Sequence, residues 1–97
     1  MAKYISLVNW TDQGIRNVKE TVNRADAARK AFESAGGKII DIYWTLGQYD
    51  IVIISEIPDD ESAYRLVLTL GMQGNVRTTT LQAIGQQEMT RILGGIS

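Results

Sequence analysis

Apolar residues recur along the chain with two different periods, and the change of period separates helices from strands. From Ile15 to Ala35 they fall at steps of three and four, which predicts one amphipathic helix ended by Gly36-Gly37, with a break near Gly14 or Asn23 as the alternative. After Pro58, three consecutive carboxylates (residues 59–61) stand where a helix N-terminus is electropositive, which predicts a second helix ending near Gly71 or Gly74. The inward positions of this second helix are Ala63, Leu66, Val67 and Leu70.

Four other segments are rich in β-branched and aromatic residues, and they predict strands at 3–9, 38–46, 49–57 and 75–84. The turn at Gly47-Gln48 is short enough to join the second and third strands as a hairpin. The order β-α-β-β-α-β predicts an α+β fold of the ferredoxin-like class. Right-handed crossovers would place both helices on one face of a four-stranded antiparallel sheet. We expect a single domain over residues 1–97, with a short helical tail at 86–95 that carries Met89, Ile92 and Leu93 on one side.

Alternation along the strands sorts the side chains of the predicted sheet onto two faces. Toward the helices we expect Ile5, Leu7, Ile40, Ile42, Trp44, Ile51, Ile53, Val76, Thr78 and Thr80. On the helix-free face we expect Tyr4, Ser6, Val8, Asp41, Tyr43, Asp50, Val52, Ile54, Glu56, Arg77, Thr79 and Leu81.

The helix-free face combines aliphatic and aromatic side chains with several charges. Its apolar part is larger than the patches that soluble monomers usually expose. A second copy related by a two-fold axis would cover it, which predicts a homodimer, or a higher homo-oligomer, with its sheets face to face. The alternative is a face that is simply solvated, as in many antiparallel sheets.

The hairpin turn and the segments that follow it resemble the GYD domain family. Gly47, Tyr49 and Asp50 fall where the Gly, Tyr and Asp of the family name stand. The resemblance extends through the aspartates Asp59 and Asp60 and the stretch GNVRTTTL at 74–81, and it covers roughly Tyr4 to Ile84. It implies a dimeric α/β barrel built from ferredoxin-like protomers, in agreement with the pattern of helices and strands. It implies no general activity.

The three name-giving residues have two interpretations. In the structural one, Gly47 supplies a positive φ, Tyr49 caps the core, and Asp50 accepts backbone hydrogen bonds or pairs with Arg77. In the functional one, Asp50 stands at the mouth of a space between two sheets, opposite Arg77, and the two bind a polar ligand group.

Composition and charge exclude several function classes. The chain has no cysteine and no histidine, which removes disulfides, thiolate and imidazole metal sites, and the Ser-His-Asp triad. A formal net charge of −1 gives no basic excess for nucleic acid, and no segment has the apolar length of a membrane span. No signal-peptide pattern is present, so we expect a cytoplasmic protein.

These observations favour a module that binds a small molecule or takes part in an assembly, with its site between or at the edge of packed sheets. The alternative is a cofactor-independent oxygenase, isomerase or lyase acting on a small hydrophobic or aromatic substrate. No cofactor is predicted, and Asp41, Asp50 and Glu56 lack the dense spacing of a cation site. The candidate ligand-binding residues are Tyr4, Tyr43, Asp50, Glu56, Arg77 and Thr79.

Overall fold

The order of helices and strands follows the predicted one, in a computed structural model that describes residues 1–97. The four strands form one antiparallel sheet in the order β2-β3-β1-β4. This confirms the ferredoxin-like α+β prediction. The elements are β1 (Ala2–Trp10), α1 (Asp12–Arg16), a 3₁₀ turn (Val18–Glu20), α2 (Thr21–Ser34), β2 (Lys38–Trp44), β3 (Ile51–Ile57), α3 (Asp60–Met72), β4 (Val76–Ala83) and α4 (Gln86–Leu93).

Helices α2 and α3 cover one face of the sheet and enclose the core. From the helices, Phe32 and Leu66 are the largest buried side chains, and Ala28 and Ala63 allow close approach. The sheet contributes alternate residues of its strands, because successive side chains point to opposite faces. These buried sheet residues are Tyr4, Val8, Ile39, Ile51, Ile53 and Ile57.

The helix after β1 is not continuous, which corrects the prediction of one helix from Ile15 to Ala35. It is interrupted at Asn17, which has non-helical backbone angles. Arg24 explains the break, since its guanidinium donates to the carbonyl oxygens of both Asn17 and Gly14 and so satisfies the end of α1. The second predicted helix is α3, which begins as expected: the Asp59 carboxylate accepts a hydrogen bond from the Ser62 N–H at 2.7 Å.

The predicted faces of β1 are inverted. Tyr4, Ser6 and Val8 point toward the helices and are buried, whereas Ile5 and Leu7 lie on the helix-free face opposite Ile54 and Val52 of β3. Both alternating sets of β1 are largely apolar, so alternation within the strand did not identify its inner face.

A second correction concerns β2. The pairing register of β2 with β3 shifts between Ile39 and Asp41, so Ile40 is an extra residue. As a result Ile39 is buried, while Ile40, which was predicted to face the helices, is exposed. Trp44 lies on the helix side as predicted, paired with Ile51, and its indole N–H donates to Thr21 Oγ1 at the start of α2, although 41% of the residue stays exposed.

The tail forms the predicted helix but does not pack onto the sheet. Residues 84–97 are exposed throughout, including Met89, Ile92, Leu93 and Ile96. The chain measures 53 Å along its longest axis, against 30 and 18 Å across. None of the helices combines the length and apolarity that crossing a membrane would require.

Candidate functional site

The side of the sheet that carries no helices, called here the open face, has an apolar centre. Ile5, Leu7, Val52 and Ile54 of the two middle strands form this centre as two neighbouring cross-strand pairs. Each is only half-buried. The next positions outward are Asp41 and Tyr43 on β2, and Thr79 and Leu81 on β4.

The two ends of the open face are polar. At one end Lys3, Lys38 and Glu56 lie in one cross-strand row, and at the other end Asn9 pairs with Arg77. Tyr43 and Leu81 remain exposed at 54% and 49% beside the apolar centre. An apolar centre with a polar rim is the usual anatomy of a protein–protein interface.

Four of the predicted site residues lie on the open face but not together. Tyr43 and Thr79 flank the apolar centre from opposite edge strands. Glu56 and Arg77 stand in rows six residues of β1 apart, or about 20 Å along the strands. No group of three or more acidic side chains converges on a position that would hold a metal ion.

The loop with Gly47, Tyr49 and Asp50 is fixed by hydrogen bonds to the backbone. Gly47 has a φ of 109°, a conformation that favours glycine. Thr45 bonds across the loop to the carbonyls of Tyr49 and Asp50, at 2.6 and 2.8 Å. Asp50 forms two bonds with β1: its N–H donates to the Val8 carbonyl, and its Oδ2 accepts from the Trp10 N–H, both at 2.9 Å.

This geometry agrees with the structural interpretation of Asp50, in which its carboxylate accepts a hydrogen bond from a backbone N–H. The predicted partner Arg77 is not bonded to it. The two ion pairs of the structure join Arg65 to Glu61 and Arg91 to Glu88. Tyr49 is half-buried and lies outside the main core cluster.

Tyr4, the sixth predicted site residue, lies on the opposite side of the sheet, in a groove between α3 and β4. The groove has a volume of about 390 Å³ and is called here the α3–β4 groove. The Tyr4 hydroxyl donates to Asp60 Oδ1 at 2.6 Å. This hydrogen bond, followed by burial and by the nearby negative charges, raises the pKa of Tyr4 to about 12. The groove is lined by Tyr4, Asp60, Ala63, Tyr64, Val67, Thr80 and Gln82.

Three residues of this groove, Asp60, Tyr64 and Gln82, are not among the predicted site residues. Asp60 and Tyr64 share one side of α3 because they are four residues apart, and the sequence alone shows this spacing. The sequence does not show which side of α3 faces the edge of β4, because that depends on how the helix lies on the sheet.

Known proteins resemble this chain over most of its length. A protein of Thermus thermophilus named glutamine synthetase and cystathionine beta-lyase binding protein is 32% identical over 85 residues, which cover 87% of this chain and 90% of that protein. The crystal structure of TTHA0845, also from Thermus thermophilus, has a TM-score of 0.54 at 24% identity, covering 88% of this chain and 95% of its own. That similarity shows a shared fold.

The family assignment rests on the sequence. The GYD domain model matches residues 4–93, which include β1 from its third residue onward, the other three strands, and the loop with Gly47, Tyr49 and Asp50. The match also takes in α3 and α4. This chain belongs to the GYD domain family.

Proposed function

We propose that this protein is a small binding module that self-associates through its open face and acts by binding other molecules. The observation that carries the proposal is the apolar centre of Ile5, Leu7, Val52 and Ile54, surrounded by charged and polar residues at both ends. A second copy of the same face would remove these side chains from water, and the basic and acidic residues at its rim provide charges of both signs for pairing.

The size of the open face suggests that α4 takes part. Four strands about 4.8 Å apart and seven residues long give a projected area of roughly 450 Å². A stable interface usually buries about 800 Å² on each partner. The projected area is smaller than the accessible area of the same face, and the exposed apolar side of α4, with Met89, Ile92 and Leu93, would enlarge the interface further.

The relative from Thermus thermophilus supports binding as the mode of action, since it is named for binding two enzymes. In the proposed dimer, Tyr43, Glu56, Arg77 and Thr79 lie near the margin of the interface. They are retained there as candidate contacts for a ligand, with Asp50 at the adjoining loop.

Sedimentation velocity tests self-association. At micromolar concentration the wild-type chain should sediment with twice the 10.8-kDa mass of one protomer. Leu7→Lys should shift it to monomer, because a charge at the apolar centre cannot be buried without a partner. Leu68→Lys is the matched control, since Leu68 is 64% exposed on α3 and lies away from the open face. A monomeric wild type, or a Leu7→Lys variant that still dimerises, would reject the proposed interface.

Deletion of residues 86–97 tests the contribution of α4. These residues are exposed in the protomer, so the shortened chain should keep its circular dichroism spectrum and unfold as a cooperative unit. The dimer of the shortened chain should dissociate at a higher protein concentration than the wild-type dimer. An unchanged dissociation constant would leave the open face as the whole interface and remove α4 from the proposal.

Binding of other proteins has a separate test. Purified glutamine synthetase and cystathionine beta-lyase, the two enzymes in the relative's name, are the first probes for surface plasmon resonance. Binding of either enzyme to the wild type, with loss in one of the surface variants above, supports the module. Failure to bind both would confine the proposal to self-association.

A further inference from the structure

The α3–β4 groove has the construction of a ligand site, and the open face plays no part in it. Asp60, Ala63, Tyr64 and Val67 follow the spacing i, i+3, i+4, i+7 and form one stripe along α3. Thr80 and Gln82, two residues apart on β4, form the opposite wall. The volume of about 390 Å³ is within the usual range for small-molecule sites.

One end of the groove, open to solvent, presents the Asp60 carboxylate with one oxygen free of hydrogen bonds within the protein. Tyr4 is a buried residue whose hydroxyl reaches the groove and donates to Asp60 Oδ1, which orients the exposed carboxylate. Oδ2 has no hydrogen-bond partner within the protein, and Asp60 belongs to neither ion pair. Since Tyr4 already donates its only proton to Asp60, this end of the groove presents acceptors rather than donors.

A second carboxylate, that of Asp59, stands beside Asp60 at the start of α3. Asp59 caps α3, and the hydrogen bond from the Ser62 N–H holds the pKa of Asp59 below its usual value. Glu61 is paired with Arg65 at 3.2 Å. No cationic residue lines the groove, so a ligand that brings its own positive charge would be attracted there.

The walls next to Asp60 are apolar and aromatic. Ala63 and Val67 form the apolar part of the α3 wall of the groove. The Tyr64 side chain, 71% exposed, stands one helical turn after Asp60. An aromatic face attracts a cation placed over it. The combination is a carboxylate, an aromatic ring and a short apolar wall.

We propose that the α3–β4 groove binds a primary ammonium group carried on a short aliphatic stem. The ammonium donates to Asp60 Oδ2, and the stem packs on Ala63, Val67 and the ring of Tyr64. Thr80 and Gln82 supply hydroxyl and amide groups for a polar substituent at the far end of the ligand.

This ligand class fits better than two others. An anion would meet the Asp60 carboxylate with no cationic side chain to offset the repulsion. A Ca²⁺ ion takes six or more oxygen ligands, whereas the groove provides only one carboxylate. An ammonium group needs one good acceptor and tolerates an aromatic neighbour.

The test is titration of the full-length protein with butylammonium chloride at constant ionic strength, followed by backbone amide NMR. The amides of Ala63, Val67, Thr80 and Gln82 should shift in a saturable way. Asp60→Asn keeps an oxygen for the Tyr4 hydroxyl and should weaken binding at least about tenfold, because a charge-assisted hydrogen bond becomes a neutral one. The neutral analogue butanol should bind at least about tenfold more weakly than butylammonium.

Glu61→Gln is the matched control, since it removes the same charge one residue further along α3 without touching the groove. It should leave the dissociation constant within about twofold of wild type. Tyr64→Ala should weaken binding by about threefold while leaving the carboxylate in place. Equal losses in Asp60→Asn and Glu61→Gln would mean a general attraction to the acidic helix end and would overturn the site. Absence of saturable shifts in the wild type would overturn it as well.

Discussion

The carboxylate of Asp50 accepts a hydrogen bond from the backbone N–H of Trp10, with 2.9 Å between Oδ2 and the nitrogen. Trp10 is the last residue of β1, and Asp50 immediately precedes β3. Together with the bond from the Asp50 N–H to the Val8 carbonyl, this contact fastens the β2–β3 loop to the central strand. The third residue of the family's name therefore joins this loop to β1 through both its backbone and its side chain.

Asp50→Ala should lower the free energy of unfolding by about 2 kcal/mol, because a half-buried backbone N–H loses a charged acceptor. Asp50→Asn retains an oxygen at this position and should lose about half as much. Urea denaturation measures both. Asp41→Ala is the control, since Asp41 is exposed and makes no side-chain hydrogen bond, and it should stay within about 0.5 kcal/mol of wild type. An Asp50→Ala variant as stable as that control would remove this structural role.

Two serines on the helix side of the sheet should respond in opposite directions to replacement by alanine. Ser55 is fully buried and its hydroxyl has no hydrogen-bond partner. Ser55→Ala removes an unsatisfied polar group and should raise the free energy of unfolding by about 1 kcal/mol. Ser6 is also buried, but its hydroxyl lies 3.2 Å from Thr80 Oγ1, so Ser6→Ala should lower the free energy by about 1 kcal/mol. Losses of similar size in both variants would contradict the prediction.

Tyr4 should make stability depend on pH in the alkaline range. Its pKa is raised from 10.0 to about 12 in the folded protein, so the unfolded chain releases this proton first as the pH rises. The contribution of Tyr4 is therefore complete below pH 10 and is lost as the pH approaches 12. Denaturant unfolding across this interval should show a steeper decline for wild type than for Tyr4→Phe.

Tyr64→Phe is the control for the Tyr4 prediction, because it removes an exposed hydroxyl that makes no hydrogen bond. Its decline with pH should parallel that of wild type. If Tyr4→Phe also parallels wild type, the bond to Asp60 does not shift the titration of Tyr4.

Gly14 should be intolerant of any side chain. A Cβ at this position would overlap the backbone carbonyl of Asn75, which also accepts a hydrogen bond from the Thr11 N–H at 3.1 Å. Gly14→Ala must move α1 away from the start of β4, and a loss of more than about 2 kcal/mol of unfolding free energy is expected. At Gly85 an added Cβ meets nothing within 4 Å, so the unfolding free energy of Gly85→Ala should remain within about 0.5 kcal/mol of wild type. Thermal or urea unfolding measures both variants.

The helices and turns that could be predicted from the sequence are those determined by residues within one short segment. The helix after Pro58 was predictable because its cap, its acidic first turn and its apolar spacing all lie within one segment. The positive φ of Gly47 followed from the short turn in the same way. The order of the elements then fixed the ferredoxin-like fold.

The faces of β1 and the partners of the site residues depend on contacts between distant segments. Ile5 and Leu7 are as apolar as Tyr4 and Val8, so no pattern within β1 distinguishes its inner side. Tyr4 and Asp60 are 56 residues apart, and their bond exists because α3 begins beside the first residues of β1. No local signal in the sequence reports that placement.

The exposure of residues 84–97 separates the tail from the packed part of the chain. Nothing in the tail is needed to fill the core, so Met89, Ile92 and Leu93 can be replaced without unfolding the sheet. A change confined to the tail would therefore alter the outer surface of the chain and leave the packing of α2 and α3 on the sheet intact.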